Sequence, residues 1–243
     1  MTAGAAHTAS LAGWRFVVSA GPTYEDLDPV RFLGNRSSGK MGFAIAAAAA
    51  RRGAATVLVA GPVSLATPRG VQRIDVRSAA QMHAAVMAQL PAEAYIGAAA
   101  VADFTPAAVA PGKIKKRRGE DGLTLQLVRT PDILAGVAAH PSRPRLVVGF
   151  AAETDDVVRN ARDKLERKGI DLIAANRVGT ADGGFESDDN ALTLIWRDGE
   201  RTLGPAPKTR LAEELLDLVA EWLASGAACQ ASGVRHQASD QRP

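Results

Sequence analysis

Apolar residues fall along this chain in two alternating rhythms. Short runs rich in Val, Ile, Leu and Ala predict strands at Trp14–Ala20 (WRFVVSA), Ala55–Ala60, Val71–Val76, Ala94–Ala100, Thr124–Val128, Leu146–Ala151 and Asp171–Ala175. Stretches with helical spacing lie between them, among them Met41–Arg52, closed by Gly53, and Asp155–Lys168, closed by Gly169. Ser78 opens another helix, with Gln81 in a capping-box position and Met82, Ala85, Val86 and Leu90 on one face. Thr130-Pro131 reads as the cap and first residue of a helix ending near His140. Later, Ala191–Trp196 and Glu200–Leu203 flank Asp198-Gly199, a favoured hairpin turn. Thr209–Ala224 is amphipathic, with Leu211, Leu215, Leu218 and Trp222 inward.

Strands alternating with helices predict an α/β fold: a mostly parallel sheet covered by helices on both faces, with a late antiparallel β-hairpin. No repeat or compositional break divides the chain. One domain over 14–224 is expected, with 1–13 a disordered lead-in or linker and 225–243 a disordered tail. Ligands of such sheets bind beyond the carboxyl ends of the strands. The loops at 21–40, 101–123 and 150–156 fall there and hold most of the unusual residues.

Composition narrows the class. A chain of 243 residues buries a sizeable core without disulfides or metals. Cys229 is the single cysteine, so neither an intramolecular disulfide nor a Cys-rich zinc module is available, and a reducing, cytoplasmic setting is expected. No apolar run reaches the ~18 residues of a membrane helix, and Met1–Gly13 lacks the features of a signal peptide. A net charge of +3 does not argue for nucleic acid. The basic run Lys113–Arg118 (KIKKRR) is not interleaved with aromatics, which speaks the same way. That run reads either as a solvated loop or as an arm that grips a polyphosphate.

Other segments carry possible chemistry. Gly34–Lys40 (GNRSSGK) fits the first seven positions of a phosphate-binding P-loop, but Met41 stands where a magnesium-binding Ser or Thr belongs. Ser37, Ser38, Gly39 and the amides opening the following helix can still bind an anion; an ordinary Gly/Ser turn is the plainer reading. Asp103 ends an apolar strand, where an acid holds Mg²⁺ or a ribose hydroxyl, or merely caps a loop. Pro131-Asp132 opens a helix, and Lys164 and Lys168 share a helix face. No dinucleotide fingerprint, G-x-S-x-G or Cys–His pairing is present.

Together these segments resemble the phosphopantothenate–cysteine ligase family. The matching stretches are Ser19–Gly42 (SAGPTYEDLDPVRFLGNRSSGKMG), Gly97–Phe104 (GAAAVADF), Lys113–Lys116 (KIKK), Pro131–Leu134 (PDIL), Gly149–Thr154 (GFAAET), Asp171–Asn176 (DLIAAN) and Ser187–Ala191 (SDDNA). The resemblance implies a Rossmann-like fold and a two-step ligation. The carboxylate of 4′-phosphopantothenate attacks the α-phosphate of CTP, releasing pyrophosphate and giving an acyl-cytidylate. The amine of L-cysteine then attacks the acyl carbon and expels CMP.

By the same resemblance, Lys113 helps form the acyl-cytidylate and Asn35 orients it, with Arg31 on the phosphopantothenate side and Ala99 and Ala100 beside the intermediate. Asp103, Pro131, Asp132, Ile133, Leu134, Phe150, Lys164 and Lys168 match the CTP-binding set, with Phe104 next to it. Asp103 is also the candidate ligand for Mg²⁺. The family implies a homodimer to which the late hairpin contributes. A flavin-dependent decarboxylase, to which this ligase is fused in many bacteria, is not in the sequence, so no flavin is expected. ATP in place of CTP, and a non-catalytic nucleotide-binding module, stand as alternatives.

Overall fold

The computed structural model describes residues 10–116, 122–153, 156–177 and 188–226. Its centre is an eight-stranded sheet. The parallel part comprises β1 (Arg15–Ala20), β4 (Ala55–Ala60), β5 (Val71–Asp75), β6 (Ala94–Gly97), β9 (Leu146–Glu153) and β10 (Leu172–Arg177). The hairpin of β11 (Asp189–Trp196) and β12 (Gly199–Pro207) continues it antiparallel from β10. The order is β12-β11-β10-β9-β6-β1-β4-β5, so the chain reverses its direction of travel between β1 and β6. A crevice opens beyond the strand ends at such a switch point.

Five helices among the described residues cover the sheet. Residues from α1 (Lys40–Arg51) and α5 (Lys208–Ser225) bury Phe43, Ile45, Leu211, Leu215 and Val219 against Phe16, Val18 and Leu58. Residues from α2 (Ala79–Met87), α3 (Ile133–Ala138) and α4 (Val157–Lys168) bury Met82, Val86, Val137 and Leu165 against Val17, Val59 and Val147. Phe16 and Val18 thus face one layer while Val17 faces the other, which is why β1 reads as a continuous apolar run. At the outer edge of the first layer Arg52, almost wholly buried, reaches Glu213 at 2.6 Å and Asp217 at 2.9 Å, locking α1 to α5.

The helices, the parallel strands and the late hairpin match the expected fold. The capping box at Ser78 forms as its sequence predicts. Four local expectations change. The loop at 21–40 contains a hairpin of β2 (Tyr24–Asp26) and β3 (Phe32–Gly34), joined by stacking of Tyr24 on Phe32 at 3.8 Å. The strand expected at 124–128 is β8 (Leu127–Arg129), outside the main sheet and paired with β7 (Phe104–Pro106). The helix after Thr130 is capped by Asp132, whose carboxylate accepts from Ala135 N at 3.1 Å; Thr130 instead donates its hydroxyl to Ala102 O at 2.6 Å. Leu11, placed in the lead-in by its sequence, is fully buried and bonds Arg52 O at 2.9 Å.

Candidate functional site

Two cavities adjoin at the switch point. The first, about 530 Å³, lies over the carboxyl ends of the central strands and the start of α1. The second, about 440 Å³, lies between the ends of β1, β6 and β9, the start of α3 and the side of α4. Ala99, Val101, Asp103, Phe150 and Lys164 line both. They form the wall that the two spaces share.

Ser37, Ser38, Gly39, Lys40 and Met41 give the first cavity its polar rim. Gly39 takes a left-handed conformation, φ 74°, and turns the chain into α1 with no side-chain cap. The opening amides of α1 therefore face this rim, as an anion-binding end requires. Asn35 lines the same cavity, its side-chain amide donating to Val101 O at 2.9 Å. Lys208, nearly buried, and Asn176 and Asn190 complete the far side. Burial and the nearby Lys40 charge push the Lys208 ammonium below its ordinary value, despite Asp188.

The second cavity is built mainly by packing. Gly97 and Gly149 are register partners on β6 and β9. A Cβ on Gly97 would lie 3.0 Å from Leu134, and one on Gly149 3.1 Å from it and 2.9 Å from Ile170. The two glycines form a notch in which Leu134 sits, and that seat sets the height of α3 above the sheet. Lys168 bonds Asp132 at 3.1 Å, and Lys164 donates to Phe150 O at 3.3 Å. Burial raises the Asp132 carboxyl, but the Ala135 amide and the two lysines outweigh it and hold it below the usual range. On the cavity floor Tyr95 and Ser19 share a buried hydroxyl–hydroxyl bond of 2.9 Å. Burial pushes the Tyr95 phenol well up, so it stays neutral.

Among the described residues, no group of three or more His, Cys, Asp or Glu is placed to hold a metal ion. Asp103 alone brings a carboxylate to the shared wall. That fits Mg²⁺, which commonly takes one or two carboxylates and completes its shell with substrate phosphates and water. No helix among the described residues is long and apolar enough to cross a membrane.

Residues 11–223 match one known domain family. The chain belongs to the DNA/pantothenate metabolism flavoprotein C-terminal domain family. It is 55% identical over 203 residues to the coenzyme A biosynthesis bifunctional protein CoaBC of Escherichia coli K12, covering 83% of this chain and 50% of that protein. The CoaBC of Vibrio cholerae serotype O1 is 52% identical over 212 residues, covering 87% of this chain and 53% of that protein. The chain thus spans about half the length of these relatives. A crystal structure of the C-terminal domain of a CoaBC superposes with a TM-score of 0.75 at 36% identity, covering 88% of this chain and 98% of that one. The ligase family read from the motifs is the family these relatives share.

Within this family domain, most residues singled out by sequence converge. Asn35, Ser37, Ser38, Gly39 and Ala100 line the first cavity, and Phe104, Pro131, Asp132, Ile133, Leu134 and Lys168 the second. Ala99, Asp103, Phe150 and Lys164 belong to both. Arg31 and Lys113 line neither; Arg31 sits in the turn of the β2–β3 hairpin, and Ile114, next to Lys113, is bonded to that turn. Arg117 and Arg118 of the basic run, Thr154 and Ser187 lie outside the described residues. Sequence reasoning passed over Ser19, Tyr95, Gly97 and Arg129 in the second cavity and Lys40, Asn176, Asn190 and Lys208 in the first. Asn176 ended one motif already quoted and Asn190 lay inside another. Tyr95, the lone hydroxyl in an apolar strand, was a readable signal, whereas nothing around Lys208 marks it.

Proposed function

We propose that the chain joins 4′-phosphopantothenate and L-cysteine to form 4′-phosphopantothenoyl-L-cysteine in cytoplasmic coenzyme A synthesis, using CTP through an acyl-cytidylate. The observation that carries this reading is the wall of Asp103, Phe150 and Lys164 shared by two cavities. A two-step ligation needs such a place: a reacting phosphoryl centre at the boundary, nucleotide on one side and acyl substrate on the other.

In this reading the nucleotide occupies the space beside Asp132, Leu134, Lys164 and Lys168. The lysines neutralise phosphate charge without having to be ordered anew, since Lys164 already bonds Phe150 O and Lys168 already bonds Asp132. The amides and hydroxyls at Ser37–Lys40 receive anionic groups in the adjoining space. Asn35, held by Val101 O, orients the acyl intermediate for attack by the cysteine amine. Mg²⁺, held by Asp103, would spread the charge of the leaving pyrophosphate. Lys113 acts on the first step.

A homodimer belongs to this proposal. The family resemblance implied that the late hairpin contributes to the contact, and its strand β12 forms an edge of the sheet. The larger apolar exposure lies elsewhere, at Val30, Phe32, Phe104 and Val128 on the two small hairpins. Sedimentation of the parent and of Phe32→Asp distinguishes the two surfaces. The companion half of such a bifunctional protein is expected to carry the flavin-dependent decarboxylase.

The decisive assay is pyrophosphate release in the presence of phosphopantothenate, Mg²⁺ and either CTP or ATP, with product formation requiring cysteine. CTP should far exceed ATP, and Asn35→Ala should accumulate the acyl-cytidylate. Pyrophosphate release that ignores phosphopantothenate, or wild-type turnover by Asn35→Ala, overturns the reading.

A further inference from the structure

Arg31 and Lys113 lie outside both cavities, yet they share one anchor. Asp28 sits in the turn between β2 and β3, and its side chain has no exposed surface. Its Oδ1 accepts from Val30 N at 2.7 Å and Arg31 N at 2.8 Å. Its Oδ2 accepts from Ile114 N at 3.0 Å, with Arg31 Nη1 at 3.4 Å. Only an ionised carboxylate has the acceptor capacity for this set.

The Ile114 contact is not the only link across this gap. Ala110 N donates to Leu27 O at 2.9 Å, next to Asp28 in the chain. The arm is therefore pinned at Ala110 and Ile114, and Pro111, Gly112 and Lys113 bridge the two pins. Lys113 stands one residue from the Asp28 pin. A lysine ammonium rides on a long flexible stem, so its place is set chiefly by where its backbone is held.

We propose that Asp28 is a positioning residue: its carboxylate fixes the arm that carries Lys113 to the turn that carries Arg31. This rests on the role given to Lys113 in the proposed function. One buried group thereby sets the geometry of two cations belonging to the same reaction. Displacing a reacting group by about 1 Å costs roughly a hundredfold in rate.

Two substitutions cut the same bond from opposite sides. Asp28→Asn keeps an oxygen for Val30 and Arg31 but turns an amide nitrogen toward the Ile114 donor. Ile114→Pro removes that donor and leaves Asp28 intact. In each, native-state trypsin cleavage after Lys115 and Lys116 should rise by about tenfold, the worth of one hydrogen bond to a charged group. The kcat for pyrophosphate release should fall by about 10- to 100-fold. The KM for nucleotide should stay within about twofold, because the second cavity is untouched. The double variant should be no worse than the weaker single one.

Unchanged cleavage in a folded variant, or additive losses in the double, overturns the proposal. If Asp28→Asn does not fold, Ile114→Pro decides alone. A parallel Lys113→Ala separates the two layers of inference. Full activity in Lys113→Ala removes the role of Lys113 itself. An inactive Lys113→Ala beside a fully active Asp28→Asn removes the anchor and leaves that role standing.

Discussion

The residues assigned to the ligation stand on two regions built in different ways. Asp132, Leu134, Phe150, Lys164 and Lys168 are fastened to the main sheet: Leu134 drops into the Gly97–Gly149 notch, and both lysines bond to neighbouring wall groups. Arg31, Phe104 and Lys113 belong to a platform of two hairpins whose strands are three residues each and lie outside that sheet. The wall draws its order from packing in the core. The platform draws its order from polar pins, Asp28 above all, and from the Arg77–Asp26 pair under stacked Tyr24 and Phe32. Packing gives a fixed volume in which to hold a nucleotide. Pins give a local geometry that is set by a few bonds and can be changed one bond at a time.

The comparison is tested most sharply by Lys113→Ala. Lys113 is exposed, so melting temperature should be unchanged while acyl-cytidylate formation falls by about 10²-fold or more, the scale of a lost charge-stabilising group. A drop in melting temperature with normal chemistry would reverse the assignment of the two regions. Gly149→Ala attacks the wall instead. Its methyl would meet Ile170 at 2.9 Å and Leu134 at 3.1 Å, and overpacking of this kind costs about 1–3 kcal/mol. Lower thermal stability and a raised nucleotide KM are expected together, and an unchanged KM would show that Leu134 does not set the cavity.

Acid should loosen both regions in the same direction. The Asp132 carboxyl of the wall and the Asp26 carboxyl of the platform are both held below the ordinary value of 3.8, Asp26 chiefly by its bond to Arg77. A depressed carboxyl stabilises the fold fully above its unfolded value, and the benefit is lost as pH falls through the folded one. Asp132→Asn and Asp26→Asn should therefore be less stable than the parent at neutral pH, and that gap should close as pH falls below 3.8, which denaturation at a series of pH values measures. The smallest effect is expected for Arg77→Ala. Its partner Asp26 is well exposed, so the cost is about 1 kcal/mol or less and shrinks further in salt; chemical denaturation at low and high ionic strength measures it.

The wall is largely legible in the sequence. Its strands are long apolar runs and its lysines sit at helical spacing, so periodicity alone placed Lys164 and Lys168 on one face. The platform is not. Three-residue strands such as Phe32–Gly34 show no period, and Asp28 looked like any acid in a proline-containing loop. Its importance comes from a partner 86 positions away, and no local pattern encodes a contact at that range. The cap at Asp132 was misjudged for a related reason: Thr130-Pro131 is a sound opening in isolation, but the Thr130 hydroxyl is already used by Ala102 O. Of the shared cavity residues, Asp103 stood out as an acid closing an apolar strand, whereas Phe150 was found only through motif resemblance.

The lock between α1 and α5 bears on the order in which the protein is made. α1 is the first helix among the described residues, whereas α5 is the last. Both cover one face of the central strands, and Arg52 finds Glu213 and Asp217 only when α5 arrives. A chain emerging from the ribosome therefore lacks the apolar cover of Leu211, Leu215 and Val219 on that layer until late in its synthesis. That interval is when a nascent domain is most exposed to association with other chains. A slower stretch of translation placed just before α5 would lengthen it, and a chaperone that shields apolar helices would be needed most there.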